Sequence, residues 1–276
     1  MIDRPWLKQV WVLCKPNVVW LMLQTAFVGS LLAQPSGWSD WQAIFCSQLG
    51  IAMMAASGAA WNHLIDRHID AKMQRTQQRP LPSGQLSHRF VMVFSLALTL
   101  IGMGVLALFV SVQLMAMTTL TTLGYAVVYT MILKSMTAQN IVIGGLSGAM
   151  PPLLGWLAVR SDWSAMPLLL VGVIYCWTPM HFWALAIDRR EDYQRTRVWT
   201  LPVTHGVVFT VQSIRYYTLL TILMTVLLGI YGRFSVLYWV MIALLNGRIG
   251  KRALQLVSSN AMALFRDSIY YLMILF

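Results

Sequence analysis

Nine apolar stretches follow one another along the chain with only short polar connections. They lie at residues 17–34, 41–62, 90–111, 113–133, 139–159, 166–187, 206–231, 234–246 and 267–276. Most approach the roughly 20 residues that a helix needs to cross about 30 Å of hydrocarbon. The 276 residues are 58% hydrophobic and only 11% charged, where a soluble domain carries about 25% charged residues. The expected fold is therefore all-α, a polytopic transmembrane bundle of about nine helices in one domain spanning residues 1–276. The ninth stretch ends at Phe276 after about half a span, which fits either a shortened chain or a helix that only dips into the bilayer. The first stretch lacks a small-residue cleavage site and reads as a retained helix. With no Arg- and Ser-rich extension before it, a bacterial inner membrane is expected rather than an organelle.

Charge gives the expected orientation. Of the 20 Lys and Arg, seventeen fall on one side of the nine segments: Arg4, Lys8, Lys15, Arg67, Lys72, Arg75, Arg79, Arg89, Lys134, Arg189, Arg190, Arg195, Arg197, Arg248, Lys251, Arg252 and Arg266. Arg160 and Arg233 fall on the other, and Arg215 lies inside segment seven. Cytoplasmic loops hold the excess of Lys and Arg, so the N-terminus is expected in the cytoplasm. The net charge of +11 then reflects topology and attraction to anionic lipid or substrate, not nucleic-acid binding. Cys14, Cys46 and Cys176 are scattered and form neither a disulfide framework nor a metal motif.

Five of the nine acidic residues crowd into two short stretches, Asn62-His-Leu-Ile-Asp66-Arg-His-Ile-Asp70 and Asp188-Arg-Arg-Glu191-Asp192. Each follows a long apolar segment on the cytoplasmic side. Asn62, Asp66 and Asp70 recur every fourth residue, which stacks them on one face of a helix; Asp188 and Asp192 repeat the spacing. Carboxylates stacked in this way repel, and a hard cation with oxygen ligands, Mg²⁺ above all, reverses the sign. The alternative for either cluster is a solvated helix end whose acids pair with Arg67, Arg189 and Arg190. Asp188 follows Asp66, and Asp192 follows Asp70, by the same 122 positions. That register predicts two pseudo-repeated four-helix units around a central cavity, roughly 15–135 and 139–250, with an incomplete last helix at 267–276.

Segment five carries Gly144, Gly145 and Gly148, then Pro151 and Pro152. Gly144 and Gly148 form a small-xxx-small pair suited to close helix contact. The prolines break the helix at membrane depth, for packing or to line a cavity. Trp38, Trp41, Trp156 and Trp163 read as an outer interfacial belt. Arg215 needs a polar partner or a snorkelling route to the helix end.

Asn62-xxx-Asp66-xxx-Asp70 followed by Arg75-Thr-Gln-Gln-Arg79-Pro-Leu-Pro-Ser-Gly resembles the first aspartate-rich motif of the UbiA-type intramembrane prenyltransferases. Within them it is similar to the branch that farnesylates haem. Further similar stretches run from Gln139 to Trp156, from Trp177-Thr-Pro-Met-His181 to Ala186, and from Leu264 to Leu272, so the likeness covers nearly the whole chain from Lys15-Pro-Asn. It departs at the second motif. There Arg189-Arg-Glu-Asp-Tyr193 stands where Tyr-Lys-Asp-Asp-Tyr is usual, and Arg197-Val-Trp-Thr-Leu-Pro202 where Gly-x-Pro-Met-Leu-Pro is usual.

The resemblance implies Mg²⁺ held by Asn62, Asp66, Asp70, Asp188 and Asp192, with Asp66, Asp70 and Asp192 catalytic. It also implies a diphosphate contacted by Arg75, Arg79 and Arg190. Farnesyl diphosphate would be the donor and haem B the acceptor, with haem O passed to a later haem-modifying enzyme or a terminal oxidase. His181 is then a haem-contact candidate, because imidazole ligates haem iron; His63 and His68 are weaker ones. Two alternatives stay open, the same transfer to an aromatic or quinone-precursor acceptor and a cation-coupled transporter.

Overall fold

The computed structural model describes residues 6–34, 40–196 and 198–276, so Arg4, Trp38 and Arg197 lie outside the described residues. All regular structure among the described residues is helical. In chain order the helices are α1 (Trp6–Leu13), α2 (Pro16–Ala33), α3 (Trp41–Asp70), α4 (His88–Phe109) and α5 (Val112–Leu123). A π-helical stretch, Gly124–Leu133, continues α5 into α6 (Lys134–Met136). Then follow α7 (Asn140–Ala149), α8 (Pro151–Leu157), α9 (Ala165–Asp188), α10 (Arg190–Arg195), α11 (Leu201–Thr204), α12 (Gly206–Gly232), α13 (Val236–Leu254) and α14 (Ala261–Leu275).

Among the described residues, seven helical runs are long and apolar enough to cross a membrane: Pro16–Ala33, Trp41–Asp70, His88–Phe109, Val112–Met136, Asn140–Leu157, Ala165–Asp188 and Gly206–Gly232. This is a polytopic membrane protein. The eighth and ninth apolar stretches are helices too, but less purely apolar ones. α13 carries Arg248, Lys251 and Arg252 in its second half. α14 has 15 residues, about 22 Å at 1.5 Å per residue. It starts six residues before the run that begins at 267. Asp267 does not stop it, because Arg248 (2.8 Å) and Arg252 (2.7 Å) both donate to its carboxylate.

The chain forms two compact units, Met1–Ile132 with Pro151–Asp162, and Leu133–Met150 with Trp163–Phe276. In the first, α3 packs along α4. Small residues and hydroxyls permit this: Gly50 faces the Leu106 side chain and Gly102 faces Met53 and Met54. Ser57 donates to the Ser95 carbonyl at 2.8 Å and lies 2.7 Å from the Thr99 hydroxyl. Where lipid replaces water, such contacts and close packing hold helices together. α2 crosses α8 more tightly still. A Cβ on Gly29 would collide with the Pro152 carbonyl, and one on Gly155 with the Ala26 carbonyl. Ser30 lies 3.0 Å from the Gly155 carbonyl.

The prolines do break segment five, between α7 and α8. Pro151 and Pro152 open α8, where their missing N–H groups cost nothing. The glycine expectation needs correction. Gly148 faces open space, whereas Gly144 and Gly145 are buried and Gly145 packs against Thr178 of α9. Trp41 and Trp163 are exposed as an interfacial belt requires, but Trp156 is buried, with the Arg160 guanidinium 5.7 Å from its ring.

In the second unit α9 packs on α12, α7 and α14. A polar chain ties α12, α13 and α14 together. Tyr271 donates to Asn246 (2.7 Å), Asn246 to Thr225 (3.1 Å), and Tyr238 to the Thr225 carbonyl (2.7 Å). Arg215 finds its partners in backbone: it donates to the Ala253 and Leu254 carbonyls at 3.1 and 2.9 Å, which satisfies the end of α13.

Gly155→Val drives two methyl groups into the Ala26 backbone. Overpacking of this kind costs about 1–3 kcal/mol or more, so thermal unfolding in detergent shifts to lower temperature. Gly148→Ala leaves the midpoint unchanged or raised; equal effects of the two substitutions would contradict the crossing.

Candidate active site

α3 runs unbroken for 30 residues, so the first acidic motif occupies its last turns rather than a loop beyond it. Asn62, Asp66 and Asp70 are all buried, at 5%, 3% and 3% exposure. Two buried carboxylates one turn apart need positive charge, and the chain supplies it from both directions. Lys15 Nζ donates to Asn62 Oδ1 at 2.6 Å, and Asn62 Nδ2 donates onward to Asp66 Oδ2 at 2.8 Å. Arg79 donates to Asp70 Oδ2 at 2.7 Å.

The local backbone explains both arrivals. Arg79-Pro-Leu-Pro-Ser-Gly84 folds as a tight turn. Gln85 and Leu86 N–H groups donate to the Pro80 carbonyl, the Ser83 hydroxyl donates to the Arg79 carbonyl, and Gly84 sits at φ +72°. Leu81 and Leu86 anchor that turn in a core with Leu13, Ala60 and Val91. Lys15 lies between α1 and α2 at φ 49°, ψ 58°, directly before Pro16. A lysine in the left-handed region is unusual and stays there only where its surroundings demand it. Here the turn is the one that brings its ammonium to Asn62.

The π-helical stretch contributes a third side. Its wider winding lets Thr130 donate to the Tyr125 carbonyl five residues back (2.9 Å), and Thr130 in turn accepts from Asn62 Nδ2 (3.3 Å). Tyr125 packs against Gly58 of α3. Such windings are frequent at functional sites. Lys15, Tyr125 and Thr130 were not among the expected site residues; Lys15-Pro-Asn, where the family likeness begins, was the available signal for the first of them.

The second cluster differs from the expectation of one stacked face. α9 ends at Asp188, and Arg189 breaks the helix at φ −101°, ψ 22°. Asp192 therefore belongs to α10, in its first turn, where it is buried beside buried Tyr193. Asp188 is exposed and pairs with neighbouring Arg189 at 3.1 Å, a solvated ion pair of little energetic weight. Glu191, Arg190 and Arg75 are exposed.

His181 sits two turns before Asp188 on α9, stacked between the Trp177 and Phe265 rings with centroids 4.3 and 4.4 Å away. Its Nδ1 lies 2.7 Å from the Ser268 hydroxyl. His63 is buried without a hydrogen-bond partner for either ring nitrogen among the described residues, and His68 is exposed.

Among the described residues no three Asp, Glu, His or Cys side chains stand together as a ready-made cation group. The donors in the first unit are nonetheless hard oxygens, buried at a helix end, and they fit Mg²⁺. The UbiA prenyltransferase family matches residues 22–268. The chain belongs to the UbiA prenyltransferase family. Among relatives, the protoheme IX farnesyltransferase of Vibrio vulnificus (strain YJ016) is 46% identical over 100% of this chain and 93% of its own length. That of Shewanella amazonensis is 49% identical over 95% of this chain and 89% of its own. A solved digeranylgeranylglyceryl phosphate synthase superposes with TM-score 0.79 at 18% identity, covering 99% of this chain and 96% of that one. A UbiA homolog from Archaeoglobus fulgidus bound to DMAPP and Mg²⁺ superposes with TM-score 0.71 at 16% identity, covering 97% and 98%. These structures share the fold.

If the buried acids hold the charge of the reaction, burial ranks their importance. Asp66→Ala and Asp192→Ala each lower prenyl-transfer turnover by about 10²-fold or more. Asp188→Ala lowers it less. Diphosphate release in detergent micelles measures all three, and an unchanged Asp66→Ala turnover would contradict the assignment.

Proposed function

We propose that the chain transfers the farnesyl group of farnesyl diphosphate to a vinyl group of haem B, making haem O for respiratory oxidases. The identity to protoheme IX farnesyltransferases across nearly the whole chain carries the choice of substrates. The buried Asn62–Asp66–Asp70 face with Arg79 on Asp70 supports the diphosphate chemistry.

Asn62, Asp66, Asp70, Asp188 and Asp192 would hold Mg²⁺, which when bound neutralises diphosphate charge. Arg79 is held in place by its turn and by Asp70; Arg75 and Arg190 are exposed and free to swing onto phosphate oxygens. Positive charge there stabilises the leaving diphosphate as the C–O bond breaks and takes the electron pair. The apolar helices keep water from the allylic cation until the vinyl carbon attacks. Addition of water and loss of a proton then complete the hydroxyethylfarnesyl group. His181, stacked between Trp177 and Phe265, would be the haem contact.

Acids at helix ends rather than in mid-span, in a chain of this family, argue against a cation-coupled transporter. We assign the enzyme to the bacterial cytoplasmic membrane, with the N-terminus and acidic clusters on the cytoplasmic side, on the seventeen-to-two charge distribution.

Membranes holding the protein, given farnesyl diphosphate and haem B, form haem O detectable by mass. Product from an aromatic acceptor and none from haem would contradict the acceptor and leave the diphosphate chemistry standing.

A further inference from the structure

Ser268 of α14 is fully buried and makes three contacts at once. Its hydroxyl lies 2.7 Å from His181 Nδ1 and 2.6 Å from the Phe265 carbonyl oxygen. Its own carbonyl accepts from Trp177 Nε1 at 2.9 Å. The hydroxyl has a single proton. At 2.6 Å two bare oxygens would repel, so that proton lies toward the Phe265 carbonyl, which can only accept. The lone pairs of Ser268 Oγ therefore face His181, and the hydrogen on that contact must come from Nδ1.

A neutral imidazole carries one N–H and one lone pair, so Nε2 bears the lone pair. Among the described residues the ring's hydrogen-bonding contacts are with Ser268 and the Phe265 backbone, none is recorded at Nε2, and the ring is only partly buried. The ring cannot turn to exchange its nitrogens, because Trp177 and Phe265 stack on its two faces at interplanar angles of 15° and 24°. A clamped imidazole with Nδ1–H donated to a protein oxygen and a bare Nε2 is how metal-bound histidines are held.

We infer that Ser268 is a positioning residue that fixes His181 in the Nδ1–H tautomer and presents Nε2 as an axial ligand to the iron of the haem acceptor. This rests on haem B being the acceptor. α14 itself is anchored next to this pair by Asp267 between Arg248 and Arg252, so the clamp is rigid on the Ser268 side. Axial ligation holds the acceptor by its iron and leaves its vinyl edge free to react. It also explains the stacked aromatic sandwich, which the diphosphate chemistry does not require.

Resonance Raman spectra of the purified protein with ferrous haem B decide it. The wild type shows an iron–histidine stretching band, and His181→Ala abolishes it. Ser268→Ala shifts the band to lower frequency and weakens haem binding about tenfold or more, the usual effect of removing a histidine's outer hydrogen-bond partner. Ser268→Cys, a weaker acceptor, falls between, and Ser268→Thr restores the wild-type band. A band unchanged in both Ser268→Ala and Ser268→Cys overturns the positioning role. Bound haem without that band in the wild type, or with it still present in His181→Ala, overturns ligation. Failure of the wild type to convert haem B into haem O is a separate result and overturns the acceptor reading itself.

Discussion

Two carboxylates buried one helical turn apart on α3 repel each other, and the first unit is organised around countering that repulsion. Lys15 adopts a left-handed backbone conformation to reach Asn62, and Asn62 passes the contact to Asp66. A proline-rich turn plugged into the core by Leu81 and Leu86 delivers Arg79 to Asp70. Thr130, on a π-helical stretch, closes the remaining side of Asn62. Strained backbone and non-standard winding coincide at one helix end, which is where function concentrates such costs.

The second unit holds its chemistry differently. Asp192 is buried in a short helix after a break, and His181 is gripped by rings and a hydroxyl rather than by charge. α14 matters here out of proportion to its 15 residues, since it supplies both Phe265 and Ser268. Asp267, the first residue of the ninth apolar stretch, is the one that ties α14 to α13.

Much of this was legible in the sequence. The helices follow from apolar runs of bilayer length, and the face formed by Asn62, Asp66 and Asp70 follows from their period of four. Arg79 was legible because its turn is chemically explicit, with two prolines and a glycine. The unread parts are tertiary. Nothing in Cys14-Lys15-Pro16 announces a positive φ, and Ser268 acquires meaning only beside His181. The break at Arg189 involves neither Pro nor Gly, so Asp188 and Asp192 read as one stacked face when they are two sites of different burial. Trp156 fits an interfacial pattern by position, yet the tight crossing of α2 and α8 buries the helix that carries it. Gly148 fits a packing motif by spacing yet faces open space, while Gly29 and Gly155 sit where backbone meets backbone.

On the proposed function, the buried acids of α3 bind a diphosphate through Mg²⁺. Calorimetric titration of the detergent-solubilised protein with farnesyl S-thiolodiphosphate, with Mg²⁺ present and with it chelated, tests it most directly. Binding that requires Mg²⁺ in the wild type and is lost in Asp66→Asn is the expected result. Equal affinity with and without Mg²⁺, or an Asp66→Asn protein that binds as the wild type does, would contradict it.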